Sequence, residues 1–159
     1  MKEEVGYINV MRIVTLTYKI MIQASQQKTF NYVSDFEKQS DWILFTTVKN
    51  LSNATDRVKP KLLATTSFGL LKFVDTMIVT EWLPHEKIVV EHTGRIILGK
   101  GVFTIVKISP DSCEFIWQEI TPVPFGVFGQ VGLVLIKPAM KILFTISLRK
   151  LKSTIESSL

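Results

Sequence analysis

With one cysteine and two histidines in 159 residues, the side chains that most often bind metals or attack substrates are scarce. A single thiol, Cys113, excludes an internal disulfide and fits a reducing compartment. Cys113, His85 and His92 show no zinc- or iron-binding spacing, so neither a metal nor a cofactor is expected. Cys113 has Glu114 beside it, and so lacks the electropositive setting of a reactive thiolate. No glycine-rich phosphate loop exists, because Gly126, Gly129 and Gly132 precede no Lys-Ser or Lys-Thr pair. A Gly-x-Ser-x-Gly nucleophile elbow is also missing. No apolar run reaches the roughly 20 residues of a membrane span, since Lys137, Pro138 and Lys141 interrupt the stretch from Val127 to Leu148. The net charge of +5 is scattered and forms no basic stripe interleaved with aromatics, so nucleic acid is not an expected partner. Lys2-Glu3-Glu4 and the short mixed run after it do not make a signal peptide. Met11 is an alternative start, with Met1–Val10 as a flexible extension. The expected location is cytoplasmic, with peripheral membrane contact.

What is present is an apolar share of 47% against 21% charged residues, a globular balance. The length suits one domain over residues 1–159. Arg12–Gln23 is rich in β-branched residues and reads as a strand. Ser25 caps a helix that turns Phe30 and Val33 inward, and Ser34–Asp41 is a second short helical or looped piece. Strands follow at Ile43–Leu51, Lys61–Phe68, Phe73–Leu83, Lys87–Thr93, Ile97–Ser109 and Ser112–Thr121, punctuated by Gly69, Pro84-His85 and Pro110-Asp111. From Met140 an apolar seam runs through Phe144, Leu148, Leu151 and Ile155 at helical spacing. Because proline fits only a first helical turn, the spacing predicts a helix starting at Pro138, with Gly126–Lys137 as a separate approach segment. Strands grouped together with helices segregated to one face predict an α+β domain with an antiparallel sheet.

Several segments carry a family resemblance. They are Ile20–Ser25 leading into Phe30–Phe36 and Asp41-Trp42, Val79–Pro84, and Trp117-Gln118-Glu119 before Val123–Gly126. A final helix bearing Leu148–Lys152 completes the set. Together these resemble the START-like (SRPBCC, helix-grip) superfamily, nearest its polyketide cyclase/dehydrase and lipid-transport group, over Val14 to Ile155. Lys28, where such openings usually carry an acid, is a departure. The resemblance implies a seven-stranded antiparallel sheet wrapped around the long C-terminal helix, two short helices after the first strand, and an apolar ligand cavity between sheet and helix. Members bind lipids, sterols, quinones, polyketides or hormones, and a few are cyclases or hydratases; fold alone does not choose among these.

Strand alternation puts Cys113, Phe115, Trp117 and Glu119 on one face, which three apolar members mark as the inner one. Ile88, Val90 and His92 share a face on another strand, as do Phe103 and Ile105. The expected ligand-binding set is Val90, His92, Phe103, Ile105, Phe115, Trp117, Glu119, Met140, Phe144 and Leu148. Glu119 is placed at the cavity mouth, and both it and His92 are candidates for orienting a ligand or for acid/base catalysis. Phe125, Phe128, Val131 and Leu135 are assigned to a gate or membrane contact. His85 is expected in solvent, and Asp75, Glu81, Arg57 and Arg95 are read as surface charges. Two functions follow: binding or transport of a small hydrophobic molecule (lipid, quinone or polyketide-like), or a cyclase/dehydratase using Glu119 and His92. Ile142, Leu143 and Ile146 form surplus apolar surface suited to a homodimer.

Overall fold

A computed structural model describes residues 12–52, 59–94, 97–123 and 126–158, with the backbone alone over 126–136. The chain runs β1 (Arg12–Ile22), α1 (Gln26–Val33), a 3-10 turn (Phe36–Lys38), α2 (Gln39–Trp42), β2 (Thr46–Asn50), β3 (Lys61–Phe68), β4 (Leu71–Leu83), β5 (Lys87–His92), β6 (Gly99–Ser109), β7 (Ser112–Val123) and α3 (Gly126–Ser157). The seven strands form one sheet in the order β1-β7-β6-β5-β4-β3-β2, each antiparallel to its neighbour. The two short helices fall where the sequence puts them, and so does the final helix from Pro138 onward. Arg57 and the N-terminal extension lie outside the described residues, as does Arg95.

One face of the sheet is apolar because hydrophobic residues recur at every second position. In β1, Val14, Leu16, Tyr18 and Ile20 are half-buried, whereas Ile13, Thr15, Thr17, Lys19 and Met21 are exposed. The strand pairs with β7 from Arg12 opposite Val123 to Ile22 opposite Cys113. Ser25 caps α1 by accepting from the Lys28 amide at 3.2 Å. Lys28 Nζ itself donates to the carbonyl of Ser158 at 3.0 Å.

The seam along α3 lies against the sheet as expected. Phe144, Leu148, Leu151 and Ile155 are buried, and Met140 packs at the core's edge. Two contacts pin the helix end to the end of β1: Lys152 donates to the carbonyl of Met21 at 2.8 Å, and Glu156 accepts from the Gln23 amide at 2.6 Å. Contrary to expectation, Gly126–Lys137 is not a separate segment. The helix begins at Gly126 and passes through Pro138. A proline in a helix interior costs about 3 kcal/mol. Starting a second helix afresh costs about 4 kcal/mol, since nucleation is disfavoured by a factor of about 10³. Carrying the defect is the cheaper solution.

Two ends of the sheet can be distinguished. At the lower end β1 finishes, β7 begins and the second half of α3 docks. At the upper end β7 finishes, α3 begins and the β3–β4 hairpin turns. The lower and middle levels are packed with aromatic side chains. Trp42 is fully buried, with Phe103, Phe115 and Trp117 at 5.9, 6.0 and 5.5 Å between ring centres. Trp117 also meets Phe144 at 4.2 Å, and Tyr18 stacks on Phe144 at 4.4 Å. Trp82 is not part of this interior; it lies half in solvent with its edge towards Phe30 and Phe36.

Candidate functional site

The aromatic layer ends at Trp117, and the next inward position on β7 is Glu119. Its cross-strand partner on β6 is Gly101, whose own partner on β5 is Val90. Two positions beyond Val90, the alternation turns His92 to the same concave face, opposite Met77 on β4. Asp75 is the next inward residue of β4. These three ionisable side chains meet at the upper end of the sheet.

Their geometry is specific. His92 Nδ1 lies 2.6 Å from Asp75 Oδ2, and His92 Nε2 lies 3.4 Å from Glu119 Oε2. The Trp117 indole Nε1 donates to Glu119 Oε1 at 2.7 Å. The side chains of His92 and Asp75 are only 9% and 7% exposed, and that of Glu119 is 20% exposed. Burial by itself would lower the His92 pKa. Hydrogen bonds to Asp75 and Glu119, with their negative charges, outweigh it and raise the value from 6.5 to about 9. His92 is therefore an imidazolium at neutral pH, clamped between two carboxylates. Asp75 Oδ1 is buried with no hydrogen-bond partner. Burial, with the charge of Glu119 adding to it, also raises the pKa of nearby Tyr18.

Two glycines make room for this cluster. A Cβ on Gly94 would lie 2.7 Å from Asp75 Oδ1, and one on Gly101 would meet Val90 Cγ2 at 3.0 Å and Glu119 Oε1 at 3.4 Å. The carboxylates flank opposite sides of the imidazole, and among the described residues no three potential ligands converge on one metal position.

The structure brings together Trp117, Glu119, His92 and Val90, with Phe103 behind them at 5.4 Å from Trp117. Phe115, Ile105 and Leu148 lie deeper, inside the packed core with Phe144, and Met140 is at its margin. Phe125 falls outside the described residues, as do the side chains of Phe128, Val131 and Leu135, whose backbone belongs to α3. Sequence reasoning missed Asp75, which is no surface charge but the buried partner of His92. The signal was its parity: Phe73, Asp75, Met77 and Val79 share one face of β4. His85 also differs from expectation. It is half-buried at φ +69°, sits 5.6 Å from the Phe30 ring, and keeps Nδ1 buried without a partner. Glu81 is a half-exposed charge paired with Lys87 at 3.0 Å. Cys113 is buried against Thr29, and burial raises its pKa, which leaves it an inert thiol.

Two open surface depressions lie away from this cluster. One of about 200 Å³ lies beside Lys28, Asn31 and Tyr32, and one of about 260 Å³ beside Tyr18, Ile20 and Leu148. No helix of the described residues is long and apolar enough to cross a membrane.

Comparison of the coordinates with solved structures gives matches along nearly the whole chain. An aromatase/cyclase from a Streptomyces species superposes with a TM-score of 0.75 at 9% identity, over 91% of this chain and 94% of that one. The helix-grip fold is the fold of this chain. A START superfamily protein from Mycobacterium smegmatis matches at 0.72 with 19% identity, over 91% and 99% of the two chains. A di-domain aromatase/cyclase of the steffimycin biosynthetic pathway matches at 0.69 with 11% identity, over 92% of this chain and 51% of that one. No family model matches the sequence, and neither does any curated protein. The START-like likeness is thus one of architecture.

Proposed function

We propose that the protein binds a small, mostly apolar molecule between the upper end of the sheet and α3, with Glu119 and His92 holding its polar end. The observation that carries this reading is the Asp75–His92–Glu119 cluster on an otherwise apolar concave face. Stability does not account for it, because a buried ion pair is often no better than well-packed apolar residues of the same volume. The arrangement also leaves Asp75 Oδ1 without a partner, a cost of about 1–3 kcal/mol. Glu119, the most accessible of the three, retains lone pairs for a ligand hydroxyl or phenol. Apolar contacts would supply affinity at about 25 cal/mol per Å² before the costs of association.

Mass spectrometry of small molecules that co-purify with the protein identifies the occupant. Displacement of a fluorescent apolar probe by that occupant then measures affinity. Glu119→Gln and His92→Ala should each weaken binding about tenfold or more, the scale of a hydrogen bond to a charged group. Unchanged affinity in both variants would remove the reading.

The short His92–Asp75 contact favours a second reading, a cyclase/dehydratase acting on a polyketide-like substrate, in line with the aromatase/cyclases that share the fold. An imidazolium with a pKa of about 9 is a general acid at neutral pH. In a dehydration, Glu119 would take the proton α to a carbonyl while His92 protonates the departing hydroxyl. A C–H and a C–O bond break, a C=C bond forms, and water leaves. Turnover of a β-hydroxy ketone that Glu119→Gln abolishes without loss of binding supports this reading, whereas binding without turnover leaves the carrier.

A further inference from the structure

The upper end of the sheet carries a second feature that ligand binding does not explain. At the β3–β4 turn, where Gly69 adopts φ +58°, Leu70 is 104% exposed and Leu71 64% exposed. Phe68 and Phe73 flank them, each more than a third exposed. Phe45, at φ +59° and 55% exposed, rests on Phe68 at 5.1 Å between ring centres. The Ser67 amide donates to the Phe45 carbonyl at 2.8 Å, which ties the loop before β2 to the hairpin. These side chains therefore form one apolar tip held on paired strands. Ile97 and Leu98, just before β6, are also exposed at this end. Isolated exposed leucines mean little, but a contiguous apolar patch on a hairpin tip marks a site of contact.

The charges around the tip say what covers it. From Leu62 to Val74 the chain has no acidic residue and one base, Lys72. Register puts Arg12 at the start of β1 and Lys100 at the start of β6 at the same end. Among the described residues the exposed acid there is Glu91, directly across from Lys100. Asp75 and Glu119 are turned inward and held by His92 and Trp117. The shape is a protruding tip whose large exposed side chains are apolar, with the polar side chains of Ser67 and Lys72 beside them.

We infer that the upper end docks on an anionic membrane surface, with Leu70, Leu71 and the Phe45–Phe68 pair entering the headgroup region and Lys72, Arg12 and Lys100 facing lipid phosphates. Apolar burial and attraction of basic side chains to an anionic leaflet act additively in such binding. The surface is distinct from the gate expected on Phe125 and the first half of α3, and the inference stands without any ligand between sheet and α3.

Co-sedimentation of the full chain with phosphatidylcholine vesicles, with and without phosphatidylserine, tests it. The expected result is binding that needs phosphatidylserine and weakens with salt. Leu70→Ser with Leu71→Ser should reduce partitioning about tenfold or more, and Lys72→Glu about threefold, with thermal unfolding unchanged for these exposed sites. Transfer of Trp82, which is far from the tip, into a quenching environment should not accompany binding. Overturning results are no binding of the unaltered protein to either vesicle, or binding that the double variant retains in full. A concentration-dependent dimer in gel filtration that the double variant abolishes would also overturn it, since a second copy would then cover the tip.

Discussion

The two ends of the sheet are built from the same alternating strands and come out as different materials. At the lower end Trp42, Phe115, Leu151 and Ile155 are sealed among one another, and the last turns of α3 are pinned to β1 by Lys152 and Glu156. Two residues past Trp117 the same concave face turns ionic, and beyond Asp75 its hydrophobic residues are left in solvent. Marginally stable proteins seldom keep buried charge and bare leucine side by side for the sake of the fold. The lower end supplies the packed core, and the upper end carries charge and bare apolar side chains that the core does not need.

The largest effect should separate the ends most cleanly. Phe115→Ala removes a fully buried ring and should cost about 3–5 kcal/mol, read as a lowered denaturant midpoint. A loss below about 1 kcal/mol would mean that the lower end is not the stabilising half.

Next comes the titration of His92. Its pKa is higher in the fold than in the unfolded chain, 6.5 raised to about 9. The native state thus holds the proton more tightly, and this contribution is complete below pH 6.5. It is lost as pH rises from 6.5 through about 9, with a slope of at most about 1.4 kcal/mol per pH unit. Denaturant midpoints measured across that window should fall for the parent protein and stay flatter for His92→Gln. Equal slopes would place the proton elsewhere.

A smaller change sharpens the same point without touching an ionisable group. Gly94→Ala sets a methyl 2.7 Å from Asp75 Oδ1, so the carboxylate must shift from His92. The imidazole resonances should then titrate closer to pH 6.5, whereas Gly69→Ala, which meets no atom within 4 Å, should leave them alone. The smallest effect belongs to the tip: Leu70→Ser should alter stability by less than about 0.5 kcal/mol, as exposed sites do. A larger loss would show that the tip is structural after all.

Much of this architecture could be read from the chain because burial on one face writes itself as a period. Alternation in β5, β6 and β7 named inward residues, including Glu119, and the Met140–Ile155 seam gave the buried line of α3. His92 was legible by the same rule. Asp75 was not, because a carboxylate amid apolar neighbours reads as a surface residue unless its parity is weighed above its charge. The convergence of three strands on one cluster also depends on register, which no local pattern encodes. The start of α3 was misjudged because Pro138 looks like a beginning, although in a long helix it is a tolerated flaw. Exposure of Leu70 and Leu71 was likewise hidden, since they fall between the strands ending at Phe68 and starting at Phe73, where no periodicity says which way an apolar pair faces.

That flaw gives α3 a built-in seam. Pro138 brings no amide hydrogen, so the carbonyl one turn before it has nothing to accept from within the helix, and the rod is weakest at that rung. Beyond it the helix is clamped to β1 and the aromatic layer; ahead of it the helix begins at the end where Glu119 and His92 lie. Any bending of this 32-residue element therefore concentrates at one joint, and a Pro138→Ala chain would turn a jointed arm into a stiff one.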